Sequence, residues 1–125
     1  MQSCMPFGIE CGDGWYQLID IVCGAIHRHC QLNNEPLPQF RQVKEKLGGL
    51  RIYVQGATDD ILRITVTAMK LSYLICEECG SADYVTQSED WIVTRCPKCM
   101  KKYHAWQRGS VWERFSYWLK SIIAE

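Results

Sequence analysis

Two Cys-x2-Cys pairs, Cys76/Cys79 and Cys96/Cys99, stand sixteen residues apart and constrain this chain more than any other feature. Each pair has the spacing of a knuckle, a short turn that aims two thiolates at one point. Two such turns close a tetrahedron, and four thiolates with no vacant position describe a structural Zn²⁺ site rather than a catalytic one. Gly80 follows the first pair where the chain must bend, and Pro97 sits inside the second. Between them, Tyr84–Thr86 and Trp91–Thr94 are strand-like, with Gln87-Ser88-Glu89-Asp90 as a turn. This is the layout of a zinc ribbon over residues 76–104. The competing reading is a pair of disulfides or four buried free thiols.

Upstream, Asp13 is an N-cap candidate for a helix from Trp15 to about Cys30, in which Trp15, Leu18, Ile19, Val22 and Ile26 form one apolar stripe. Asn33–Pro38 is a loop. Phe40–Lys46 and Leu50–Gln55 read as a β-hairpin, with the glycine pair 48–49 supplying positive φ and Leu50, Ile52 and Val54 facing one way. Lys44-Glu45-Lys46 is most simply the solvated face of the first strand. Thr58-Asp59-Asp60 opens a second helix whose apolar face is Ile61, Ile64, Ala68, Leu71 and Ile75, although Ile64–Thr67 is β-branched. After the ribbon, Val111–Ile123 is sharply sided, with Val111, Trp112, Phe115, Trp118, Leu119, Ile122 and Ile123 within about 140° of arc. The expected fold is α+β: helix, hairpin and helix over 1–75, the zinc ribbon over 76–104, and a C-terminal amphipathic helix over 105–125.

Charge excludes a protein that coats nucleic acid indiscriminately, because 14 basic residues balance 14 acidic ones. The distribution is uneven. Residues 1–94 hold seven basic and twelve acidic side chains, whereas 95–120 hold seven basic residues against Glu113 alone. Lys98, Lys101, Lys102, His104, Trp106 and Arg108 interleave bases with aromatic rings, a pattern found in single-strand binders. Two bland readings stand beside it: an ordinary linker, and cations that offset the −2 charge of a tetrathiolate zinc site. In the terminal helix, Trp112, Phe115 and Trp118 read first as core, then as a partner-docking or homodimer face. The N-terminus lacks a basic head followed by an apolar run, and no stretch approaches the ~20 apolar residues of a membrane span. A reducing cytoplasm with thiols used for metal is therefore expected.

Two further metal readings are weaker. Cys23, His27 and Cys30 share one side of the first helix and could recruit Cys4 or Cys11, but Cys is also a common small core residue. His104 could replace one thiolate, yet four Cys already complete the shell; His29 reads as a surface residue. No Ser/His/Asp arrangement, phosphate-binding glycine loop or HExxH appears, so a non-catalytic protein is expected.

Three blocks occur together: Cys11-Gly12-Asp13-Gly14-Trp15-Tyr16-Gln17-Leu18-Ile19, Gln42-Val43-Lys44-Glu45-Lys46-Leu47-Gly48-Gly49-Leu50-Arg51-Ile52-Tyr53 and Ser72-Tyr73-Leu74-Ile75-Cys76-Glu77-Glu78-Cys79-Gly80. In this order they resemble a family of small bacteriophage and prophage proteins, over roughly residues 11–99. Leu47 and Ile52 stand where that family's hairpin is expected to carry aromatics. The resemblance implies a phage-encoded protein in the bacterial cytoplasm that binds and modulates a host protein, a defence component among the candidates. Nucleic-acid binding through the basic 95–120 stretch is the alternative.

Overall fold

The computed structural model describes residues 8–109 and 118–120. Its elements are β1 (Ile9–Glu10), a single 3-10 turn (Asp13–Trp15), α1 (Tyr16–Leu32), β2 (Gln39–Lys46), β3 (Gly49–Gln55), α2 (Asp59–Ser72), β4 (Thr86–Gln87), β5 (Thr94–Arg95) and α3 (Pro97–Arg108). The fold is α+β, as the sequence leads one to expect. β1 pairs parallel to β2 through Ile9↔Val43, and β2 pairs antiparallel to β3 from Gln39↔Gln55 to Lys46↔Gly49, with a bulge between Phe40 and Gln42.

One core joins both long helices to one face of this sheet. α1 supplies Leu18, Ile19, Val22 and Ile26, the hairpin Phe40, Val43, Leu50 and Ile52, and α2 Ile61 and Ala68, with Trp15 fully buried among them. The alternation in β3 holds, because Leu50 and Ile52 are buried while Tyr53 and Gln55 face water. Positive φ in the hairpin turn belongs to Leu47 (52°) and Gly48 (81°), not to the glycine pair, and Gly49 is already the first residue of β3. Two successive left-handed residues match the right-handed strand twist, as two-residue hairpins require. Glu45 is not simply solvated: its Oε2 accepts a hydrogen bond from the Gly48 N–H at 2.8 Å and braces the turn.

Helix ends differ from expectation in instructive ways. Asp13 does not cap α1; it lies in the 3-10 turn, and Trp15 precedes α1 without a side-chain cap. At the other end Asn34 is left-handed (φ 53°) and the Glu35 N–H donates to Cys30 O at 2.9 Å, closing the helix. His29 is half-buried rather than on the open surface, held by Glu35 at 3.3 Å and by Asn33. Thr58 caps α2 as expected, accepting from the Ile61 N–H at 3.4 Å. The β-branched run is helical, and within it Thr65 and Thr67 donate their hydroxyls to Leu62 O and Arg63 O. Leu71 points to solvent, and the inner face of α2 is completed by Thr65 and Ser72 instead.

The ribbon strands are shorter and shifted. Tyr84 is left-handed (φ 51°), which ends any strand before Thr86, and pairing is confined to Thr86↔Arg95 and Gln87↔Thr94. The connecting loop folds on Ser88, whose hydroxyl accepts from the Val93 N–H at 2.8 Å and donates to Trp91 O at 2.5 Å. Residues 101–108 form no linker: they continue α3, which opens at the second knuckle and runs unbroken through residues 104 and 105. Of the expected terminal helix, Trp112 and Phe115 lie outside the described residues; Trp118–Lys120 are helical and exposed.

Ser72 links α2 to the hairpin. Its fully buried hydroxyl donates to Met69 O at 2.5 Å and accepts the Leu50 N–H at 2.9 Å. Ser72→Ala leaves that buried N–H without its acceptor, so it should cost about 1–3 kcal/mol in urea unfolding. A loss under about 0.5 kcal/mol would show that the bond is dispensable.

Candidate metal centre

Each knuckle is a hydrogen-bonded turn. In the first, the Gly80 N–H donates to Cys76 O at 2.9 Å and the Cys76 N–H to Ser81 O at 2.8 Å, while Gly80 takes φ 82°. The second is a helix start: Cys96 is the N-cap residue of α3, Pro97 occupies its first turn where no N–H is needed, and the Met100 N–H donates to Cys96 O at 2.8 Å. Cys99 follows one turn inside.

The four sulfurs converge. All lie within 4.8 Å of one another, and Cys79 Sγ is 3.6 Å from Cys96 Sγ. Metal–sulfur bonds of about 2.3 Å in a tetrahedron place sulfurs about 3.8 Å apart, so the set fits one ion. It does not fit disulfides, whose sulfurs stand about 2.05 Å apart; the described cysteines are all free thiols. Cys76, Cys96 and Cys99 are buried and Cys79 is exposed, so one edge of the site reaches solvent.

The thiols are not equivalent. The Cys99 backbone N–H, aimed outward at the start of α3, brings the Cys96 thiol down to about 7. Burial drives Cys99 the other way, well above the ordinary thiol range. At Cys79 the Ser81 N–H favours the thiolate, but desolvation and the hydrogen bonds its thiol donates to Cys76 and Cys96 outweigh it, and the net shift is upward. Four thiols this close cannot all ionise without a cation between them, and a divalent ion held by them would resolve the conflict by displacing the protons.

Surrounding segments fix the knuckles, and sequence reading missed this role. The Gly14 N–H donates to Glu77 O at 2.7 Å, the Gly12 N–H to Glu77 Oε2 at 3.0 Å, and the Trp15 indole N–H to Ile75 O at 2.9 Å. A Cβ on Gly14 would fall 2.1 Å from Cys76 O and 2.6 Å from both Glu77 O and Gly80 N. The GDGW block is therefore a cradle for the first knuckle rather than a helix cap. Opposite it, the Glu77 N–H donates to Thr94 O at 3.0 Å, and the Thr94 hydroxyl donates to Gly48 O at 2.5 Å. Gln87 Nε2 bonds Tyr73 O at 2.9 Å. All three sequence blocks thus meet around the four-cysteine cluster. Their close spacing of glycines was the available signal.

Other candidate ligands stay apart. Among the described residues the sole cluster of metal-binding geometry is Cys76, Cys79, Cys96 and Cys99. Cys23 and Cys30 are buried in the core while His27 faces water, and Cys30 Sγ lies 3.6 Å from Pro36 O. Burial, with Glu77, Asp13 and Glu45 nearby, pushes the Cys11 thiol up to about 12, which suits a protonated core residue. Cys4 lies outside the described residues. His104 is exposed on α3 and faces Gln107 Oε1 at 3.4 Å. Lys98, Lys101, Lys102, Trp106 and Arg108 are exposed on the same helix.

The backbone contact at Gly14 leaves nowhere for a methyl group to go, since its neighbours are carbonyls and an amide of the knuckle itself. Gly14→Ala should lower stability by about 3 kcal/mol, the upper end of overpacking costs, and weaken metal retention together with it. Gly24→Ala on α1, where a Cβ meets nothing within 4 Å, should instead stabilise by about 0.5–1 kcal/mol. Paired denaturation curves and metal titrations check both; equal effects would remove the cradle. No protein-family model, no curated protein and no solved structure matches the chain, so its site is read from geometry alone.

Proposed function

We propose that this is a small, non-catalytic zinc-ribbon protein that presents the outer face of α3 to nucleic acid. Four thiolates are the soft, tetrahedral set that suits Zn²⁺, and they complete its shell, so the ion holds structure rather than activating water. The residues that would hold it are Cys76, Cys79, Cys96 and Cys99. Zinc removal by a chelator should lower the melting temperature and erase near-UV signal, and acidification should release the ion as protons compete for the thiolates. A chelated protein that keeps its full melting temperature would sink the structural-zinc reading.

The observation that carries the nucleic-acid reading is the charge on α3. At 100° per residue, Lys98, Lys101, Lys102 and Arg108 fall within about 120° of arc, opposite the buried Cys99, Met100 and Tyr103. α3 contains no acidic residue. None of the four cations has an ion-pair partner among the described residues, whereas Arg63 and Arg95 are paired with Asp60 and Glu78. Offsetting the thiolate charge accounts for Lys98, Lys101 and Lys102, which stand within three residues of Cys99, but not for the last cation of the face. Arg108 stands nine residues beyond Cys99, about 14 Å along the helix, past the ~8 Å screening length of physiological salt.

A host-protein partner is the second reading, favoured by Leu62 and Val66, one turn apart on the outer side of α2 and 44% and 45% exposed. The resemblance of the three sequence blocks to phage and prophage proteins supports the bacterial cytoplasm as the setting for either reading.

Fluorescence anisotropy with a labelled oligonucleotide across a salt series separates them. Affinity should fall steeply with salt, at about 0.7 log units per log unit of salt for each phosphate neutralised on a single strand. Replacing Lys98, Lys101, Lys102 and Arg108 with Gln should reduce that slope by about 2–3. Salt-insensitive binding, or an unchanged slope, would remove the reading; a host protein retained from nuclease-treated lysate would then replace it.

A further inference from the structure

We infer that the basic face of α3 is one half of a site for single-stranded nucleic acid, and that an unpaired base enters the adjoining cavity and stacks on Trp91. This rests on the nucleic-acid reading of α3 and specifies its ligand. The cavity, about 370 Å³, lies between the loop after β4 and one side of α3, with Gln87, Asp90, Trp91, Met100, His104 and Gln107 among its walls.

Three observations converge there. Trp91 is 73% exposed, an unusual place for an indole. Its backbone is nonetheless fixed, because Trp91 O accepts from Ser88 Oγ at 2.5 Å and from the Tyr103 hydroxyl at 3.3 Å. An exposed ring on a pinned backbone is a preformed stacking platform. Next, His104 lines the cavity and stands between Lys101 and Arg108, at i−3 and i+4 on the same helix. That row spans about 10 Å, close to three nucleotides of a stacked strand at about 3.4 Å each. A backbone following the cations therefore passes the cavity mouth.

The third observation is the sign of the cavity wall. Glu89 and Asp90 line it, and they repel phosphate while accepting hydrogen bonds from the exocyclic amines of bases. Phosphates are held outside on the basic row and the base edge is admitted. A paired base cannot enter without leaving its stack, which costs a few kcal/mol, so the arrangement discriminates against duplex.

The test uses the full-length, zinc-loaded protein and one mixed-sequence oligonucleotide, labelled, as a single strand and annealed to its complement, with heparin as a competitor lacking bases. The single strand should bind at least about ten-fold more tightly than the duplex. Trp91→Ala should lower single-strand affinity about ten-fold and abolish that preference, and Trp91→Phe should restore most of it. Metal stoichiometry and melting temperature confirm that each variant is folded. Equal binding of single strand and duplex, unaffected by Trp91→Ala but lost in the four-cation variant, would overturn the inference and leave the basic-face reading intact. If the wild-type protein binds neither form of the oligonucleotide, both fall.

Discussion

The peptide groups of Glu77 hold the molecule together. Its carbonyl accepts from Gly14, its N–H donates to Thr94, and its carboxylate accepts from Gly12. One residue between two cysteines of the four-sulfur cluster thereby ties the segment before α1 to the ribbon's second strand. Burial raises the Glu77 carboxyl, and the Gly12 N–H opposes that shift. The glycines around the first knuckle follow from this junction. The knuckle can be approached only by backbone without side chains, which is why glycines stand at 12 and 14. It must also lie at the end of α2, where Ile75 O receives the Trp15 indole.

The ribbon is therefore not an appendage on an independent domain. Two-residue strands supply too few ladder bonds to hold a sheet, and an isolated hairpin of that size is marginal in water. Here Thr94 is fully buried, with its hydroxyl on Gly48 O and its side chain receiving Gln87. The hairpin turn of the main sheet leans on Ile92 and Thr94, and a Cβ on Gly48 would fall 2.8 Å from Ile92 Cγ2. A metal ion at the four sulfurs would fasten both knuckles and, through them, the N-terminal turn and the hairpin. The same construction frees α3. Its first turn is fixed by Cys96 and Cys99, its inner side by Met100 and Tyr103, and Arg95 lies over the Tyr103 ring at 5.2 Å. Its outer side is left to solvent.

Much of the core was legible because periodicity reports burial directly. Trp15, Leu18, Ile19, Val22 and Ile26 repeat at helical spacing, and Leu50 and Ile52 alternate at strand spacing, whatever the partner. Cysteine spacing was legible for a similar reason, since ligand geometry is local to each turn. Other features were not. Leu71, expected on the inner face, is exposed, and Ser72 is buried beside it to accept the Leu50 N–H, a contact set by a strand 22 residues away. Tyr84, which sequence would place in a strand, is left-handed, and no short-range pattern announces this.

The sequence by itself determined the α+β class, the two long helices, the hairpin and the four cysteines whose geometry fits a metal ion, because each depends on contacts within a turn or on a fixed side-chain period. Only the tertiary structure decided that the GDGW and GGL blocks serve the metal centre, that residues 97–108 are one helix, and that its cations share a face beside an exposed Trp91. Those facts arise where distant backbones approach within hydrogen-bonding distance. A glycine that permits such an approach looks, in sequence, like a glycine in any turn.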